Sequence, residues 1–243
     1  MKAKYAVRSG FTLVELLVVI AIMATLAGVG LPAIIGKLKD GNRAQATANA
    51  KSIGLALFTF ESDYGSMPSA GGEGTTDKAV QEANPSGGFT FGTANSNDFY
   101  RQLVAAGVTG EGENIFYAKG SYTKKPDGVT TANKCLAAGE CGFSYVMANQ
   151  TDPLSSSGNM GRIIAASSHY NGTADGTFDP DVYARKAVVL RLDQSASEVN
   201  VRTTDKKGVA GNGKTVFEGG ADTVWGADIQ QPVIKPPLKS TGN

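Results

Sequence analysis

Hydrophobic and polar positions divide the chain abruptly at Phe11. Residues 1–10, MKAKYAVRSG, carry Lys2, Lys4 and Arg8 and no acid; the run that follows, FTLVELLVVIAIMATLAGVGLPAIIG, is apolar with a single ionisable residue, Glu15. No other ionisable residue stands between Leu16 and Gly36. At about 1.5 Å rise per residue that stretch matches the roughly 30 Å hydrocarbon core of a bilayer. The pattern predicts a membrane-spanning helix over 11–36 behind a basic segment over 1–10. An ordinary secretory signal has a shorter apolar region, about 7 to 15 residues, and is cut behind it. Here the accessible point lies in front, at Ser9-Gly10-Phe11, where glycine gives flexible backbone. A cut there keeps the helix.

Beyond the span, Lys37, Lys39, Asp40 and Arg43 open a polar, helix-compatible segment over 37–65. Ile53, Ala56, Leu57, Phe60 and Tyr64 recur at helical spacing as an apolar stripe suited to packing on a sheet. Leu55 and Phe58 lie off that stripe, either as a second patch for neighbouring helices or as ordinary core. Gly65 and Pro68 end the helix. Residues 69–97 read as a long loop, followed by a short helix capped by Asn97, with Phe99, Leu103 and Ala106 on one face and Gly107 as terminator. Strand patterns come later. Phe143, Tyr145 and Met147 alternate, Ile163 to Ala166 form a short apolar run, and 186–192 pairs with 197–202 as a hairpin through Asp193 to Ala196. Together they predict an α+β head over 66–230 with a small antiparallel sheet of about four strands. The Pro-rich tail, 231–243, reads as extended or disordered.

Composition narrows the function classes. A chain of 243 residues accommodates one membrane element and one modest domain. Lys plus Arg at 23 against Asp plus Glu at 22 leaves a net charge of +1, so no long-range field favours nucleic acid. Cys135 and Cys141, in KCLAAGEC, are close enough for a small disulfide loop in an oxidising compartment and wrongly spaced for a CxxC redox or zinc motif. The alternative is two unpaired buried thiols. Asp175, Asp179 and Asp181, in DGTFDPD, offer hard oxygen ligands for calcium, although Asp beside Gly and Pro also marks a plain turn. His169, in SSHYNG, reads as a surface-loop residue. Neither G-x-S-x-G nor a P-loop is present, so no enzymatic chemistry and no other cofactor is expected.

Glu15 reads in two ways. At the middle of a span it costs about 2.5 to 3.5 kcal/mol and implies function; near the cytoplasmic interface it snorkels into headgroups at lower cost. The residues around it carry a resemblance. Gly10 followed by Phe11-Thr12-Leu13-Val14-Glu15-Leu16-Leu17-Val18-Val19-Ile20 resembles the prepilin-type cleavage and methylation motif of type IV pilins and type II secretion pseudopilins. The resemblance extends over about Arg8 to Pro32. It implies that a prepilin peptidase cuts between Gly10 and Phe11, that Phe11 is N-methylated, and that Glu15 pairs with the N-terminal amine of a neighbouring subunit. Two charges that are each costly in an apolar bundle then neutralise one another and set the axial stagger. Pro32 matches a proline common in the family and, with Gly28, Gly30 and Gly36, marks a stretch able to kink or unwind, the plain alternative being the end of the span.

The resemblance also implies a pilin-like roll, with the long helix laid on the sheet, and calcium in a C-terminal loop as in major pseudopilins. The expected function is structural: a subunit of a type IV pilus-like or type II secretion pseudopilus filament. Such a subunit is held in the bacterial inner membrane with its head in the periplasm, and polymerised with its own kind by an assembly platform and ATPase. The competing expectation is a membrane-anchored, exported binding domain that does not polymerise.

Overall fold

The computed structural model of the protein describes residues 11–110 and 112–240, with the side chains at 29, 30, 32, 33 and 133 outside that description. The predicted leader, including Gly10, therefore lies outside the described residues, as does the Pro32 side chain. A single α-helix, α1, covers Leu13–Tyr64. Its backbone is helical through position 32, so the local unwinding expected there is not seen. Contacts divide the chain into two units, 1–39 and 40–243.

In the first unit the described large apolar side chains of α1 have no cover. Phe11, Leu13, Leu16, Leu17, Ile20 and Leu26 are all exposed in the isolated chain. Among the described residues no helix is long and apolar enough to cross a membrane. The span expected over 11–36 is thus not found among the described residues.

In the second unit the remainder of α1 buries the stripe read from the sequence. Ile53, Ala56, Leu57 and Phe60 are all buried, Tyr64 is partly buried and stacked on Phe60, and buried Ala46 and Ala50 extend the stripe beyond the residues read from the sequence. The larger of these contribute about 1.5–3 kcal/mol each. Helix and sheet approach closely at Gly54, where a Cβ would stand 3.1 Å from Leu190 Cδ1. Off the stripe, Leu55 and Phe58 are 62% and 49% exposed, so neither is core. The helix stops at Gly65, whose φ of +76° is the left-handed turn that glycine adopts without strain, and whose N–H bonds Glu61 O at 2.8 Å.

The segment 69–97 is not one loop. It contains α2, Thr76–Ala83, anchored where the Thr76 hydroxyl donates to Gln102 Oε1 at 2.6 Å and Val80 is buried. The next helix, α3, spans Ser96–Ala105 and is capped by Asn95 rather than Asn97. Asp98 accepts the Asn95 N–H at 3.4 Å, while the Asn97 side chain is buried and donates to Leu136 O at 2.7 Å. A cap-forming residue type was thus present at both positions, and tertiary contacts claimed the second.

Among the described residues six strands follow: β1 (Ser144–Met147), β2 (Ile163–Ser167), β3 (Lys186–Arg191), β4 (Ala196–Val201), β5 (Gly208–Val209) and β6 (Val233–Lys235). They form one antiparallel sheet in the order β5-β4-β3-β2-β1-β6. The four expected strands are its centre, and the β3–β4 hairpin forms as expected but turns more tightly, with Ala196, read as part of the turn, paired in the ladder opposite Leu190. The two additional strands are edges. β6 lies in the tail that composition assigned to an extended or disordered state, and it pairs Ile234 with Val146. Its continuation is tied as well: Ser96 N bonds Pro236 O at 2.9 Å and Leu238 N bonds Asn97 Oδ1 at 2.8 Å. Proline at positions 232, 236 and 237 fits an edge, where a missing N–H breaks no ladder.

His169 is not a surface residue. It is fully buried, its ring stacks on Phe178 at 5.1 Å, and its Nε2 lies 2.7 Å from Ser144 Oγ. The Ser144 hydroxyl donates to Ala166 O at 3.3 Å, which leaves its oxygen to accept and assigns the ring proton to Nε2. Burial lowers the imidazole pKa from 6.5 to about 4. The unfolded chain therefore binds a proton between pH 6.5 and 4 that the folded head refuses. This contribution is complete above about pH 6.5 and is lost as pH falls towards 4, by about 3 kcal/mol in total. Urea unfolding across pH 4 to 7 is expected to show a steeper acid loss for the native sequence than for His169→Gln; parallel profiles would contradict the assignment.

Candidate processing and assembly site

The predicted processing point borders the described region, with Gly10 outside it and Phe11 exposed at its edge. Immediately after it the chain builds a reciprocal cap. Thr12 stands just before α1, and its carbonyl accepts the Leu16 N–H at 3.3 Å. The Thr12 backbone N–H and hydroxyl both donate to Glu15 Oε2 at 2.8 Å, and the Glu15 N–H returns a bond to Thr12 Oγ1 at 3.2 Å. This is the capping box of a threonine followed three residues later by glutamate, which satisfies N–H groups a helix start otherwise leaves bare. The signal stands in the sequence as T-L-V-E, yet the apolar run and the charge of Glu15 drew the sequence reading elsewhere.

The cap changes the view of Glu15. Its carboxylate is partnered within its own chain, and it complements the positive end of the helix dipole. Both internal bonds fall on Oε2, so Oε1 receives none from the described residues. One oxygen holds the first turn while the other faces outward from an exposed side chain.

In the head, the structure does not form the bridge expected of Cys135 and Cys141. Both thiols are buried and free. Cys141 Sγ donates to Phe143 O at 3.2 Å and lies 3.7 Å from Ser96 Oγ, so its surroundings are those of a hydrogen-bonded thiol. Burial pushes both thiols up to about 12, which keeps them protonated.

The three aspartates proposed for calcium do not gather into one ligand set either. Asp175 accepts the Thr177 N–H at 3.0 Å and the Thr173 hydroxyl at 2.7 Å, and Asp179 accepts the Asp181 N–H at 2.9 Å. Asp175 and Asp179 are thus spent on their own turns, which is the plain reading of Asp beside Gly and Pro.

Sequence reasoning passed over a different acidic group. Glu113, Asp127 and Glu140 bring carboxylate oxygens within 4.8 Å of one another. Glu113 and Glu140 are buried. Burial raises the Glu113 pKa, and the Glu140 and Asp127 charges push it the same way, against bonds from the Leu136 and Gly128 N–H groups. Spread along the chain from position 113 to 140, the three residues leave no spacing motif to find.

Replacing Thr12 by Ala is expected to fray the first turn of α1 at a cost of about 1 kcal/mol. Amide hydrogen exchange of residues 13–16 in detergent micelles should then accelerate about fivefold, with Thr12→Ser retaining protection; unchanged exchange in Thr12→Ala would refute the capping role.

No curated protein and no solved structure matches the chain. The family model of the prokaryotic N-terminal methylation motif matches residues 6–31, so the segment that holds Gly10, Phe11, Thr12 and Glu15 is the signal motif of type IV pilins and pseudopilins.

Proposed function

We propose that the protein is the precursor of a filament subunit of the type IV pilus or type II secretion pseudopilus kind, and that its role is structural rather than enzymatic. The observation that carries this reading is the matched motif at the head of a helix whose described large apolar side chains before position 36 are exposed in the isolated chain. Prepilin peptidase removes residues 1–10, Phe11 becomes the methylated N-terminus, and the N-terminal helix anchors the subunit in the inner membrane. An assembly platform and ATPase then move it into a polymer of like subunits.

The apolar run from Leu16 to Gly36 supports the anchor, because it contains no ionisable residue. It supports polymerisation equally, since the surface that lipid covers in storage needs helices of neighbouring subunits to cover it in a filament. Glu15 supplies registry. Cleavage creates an ammonium on Phe11, and the outward Glu15 oxygen of an adjacent subunit can receive it while the other oxygen still holds Thr12. Leaving one charge of such a pair buried alone costs about 3–5 kcal/mol, so helices out of step are disfavoured. A membrane-anchored binding domain that does not polymerise makes no use of this pairing.

Mass spectrometry of the mature protein is expected to find methyl-Phe11 at the N-terminus. Glu15→Ala is expected to remain membrane-bound and cleaved while yielding few or no sheared filaments. Intact residues 1–10 in assembled protein, or a normal filament yield from Glu15→Ala, would overturn the reading.

A further inference from the structure

The acidic group of the head stands apart from the N-terminal motif and has its own architecture. Glu113 directly precedes a 3-10 turn at Asn114–Phe116, Asp127 lies in the following loop, and Glu140 closes the loop that carries the two cysteines. Three separate segments thus deliver one carboxylate each to a single place, with oxygens within 4.8 Å of one another.

Local bonds hold all three groups in position, and Asp127 accepts Val129 N–H on Oδ1 at 2.9 Å. Glu113 accepts Gly128 N–H on Oε1 at 2.7 Å and Leu136 N–H on Oε2 at 3.0 Å. Glu140 accepts Ala137 N–H on Oε2 at 2.7 Å. Its other oxygen, Oε1, is buried and receives no hydrogen bond, in a side chain with no exposed surface. Its ion-pair partner among the described residues is Lys124, with Nζ at 3.2 Å on a half-exposed side chain. That contact is an ion pair without hydrogen-bond geometry.

The local charge does not close with Lys124 alone, for three carboxylates face one ammonium. Arg101 is the other nearby cation, but its guanidinium is committed to Asp98 Oδ1 at 2.9 Å and to the carbonyls of Cys135 and Leu136. Carboxylates brought together under burial are costly unless paired or coordinated. Each carboxylate oxygen has two lone pairs, so one that accepts an N–H can still face a metal.

We propose that Glu113, Asp127 and Glu140 form a binding site for a hard divalent cation, calcium by size, which pins the 120–141 loop to the start of the 3-10 turn. Calcium takes oxygens at roughly 2.3–2.6 Å and tolerates irregular shells, so opposite ligands stand up to about 5 Å apart. Magnesium, at roughly 2.0–2.1 Å in a strict octahedron, requires a tighter set. Asp127 is exposed, which leaves the outer side open for water to complete the shell. The site is distinct from Asp175, Asp179 and Asp181, and it stands whether or not the chain polymerises.

The test uses the full-length chain in detergent micelles, stripped with a chelator and titrated separately with calcium chloride and magnesium chloride. Calorimetry is expected to show saturable binding of about one calcium per chain in preference to magnesium, with a matching rise in the unfolding temperature. Asp127→Asn, at an exposed side chain that the core does not need, should weaken calcium about tenfold or more. Lys124→Gln should tighten it, because the competing ammonium is gone, and Asp175→Asn should leave it unchanged. Absence of saturable binding would overturn the proposal. So would binding that survives Asp127→Asn unchanged, or binding that is lost in Asp175→Asn.

Discussion

The head rests on the burial of one stripe of α1 against an antiparallel sheet. Ala46, Ala50, Ile53, Leu57 and Phe60 supply that stripe, and small residues at 46, 50, 54 and 56 let the helix backbone settle close to the strands. Gly54 marks how close, since a Cβ there would press on Leu190 Cδ1 at 3.1 Å. Much else follows from this contact. The central strands β2 and β3 are almost wholly buried, whereas β4 alternates buried and uncovered positions near the edge. Leu55 and Phe58 remain outside because the stripe is only one face wide.

Polar ties, rather than a covalent bridge, hold the loop that contains the cysteines. Arg101 and Asn97, both on α3, donate to the carbonyls of Cys135 and Leu136, while Glu113 accepts the Leu136 N–H. The C-terminal tail closes the same region from the other side, with Gly139 N–H on Leu238 O at 2.7 Å. Buried polar groups of this kind are costly unless satisfied, so the loop, α3 and the tail specify one another's positions. The buried carboxylate group at Glu113 and Glu140 lies in this network, and its excess negative charge sets it apart from the ties around it.

At the other end of the chain, Glu15 serves a local purpose before any intermolecular one. The same carboxylate that caps the first turn of α1 keeps an oxygen outward, so folding the helix start also presents the acid. This joins two readings that the sequence offered as alternatives. An acid near the helix start is inexpensive there because it answers bare N–H groups and the helix dipole, and its position remains available to a neighbour's amine.

The sequence by itself determined whatever depends on order along the chain. The methylation motif, the long helix with its apolar stripe, the glycine stop at Gly65 and the four central strands are all local or periodic patterns, and periodicity follows directly from helix and strand geometry. Only the tertiary structure decided which groups meet. The edge strand at Val233–Lys235 exists because β1 offers it a partner, although its own Pro-rich surroundings argue against a strand. His169 looks like a loop residue until Phe178 and Ser144 close around it. Cys135 and Cys141 are near in sequence, yet each thiol stays free in its own buried setting, while Glu113, Asp127 and Glu140 are far apart in sequence and meet. Such proximities are set by how the loops fold back on the core, a long-range property that no spacing along the chain encodes.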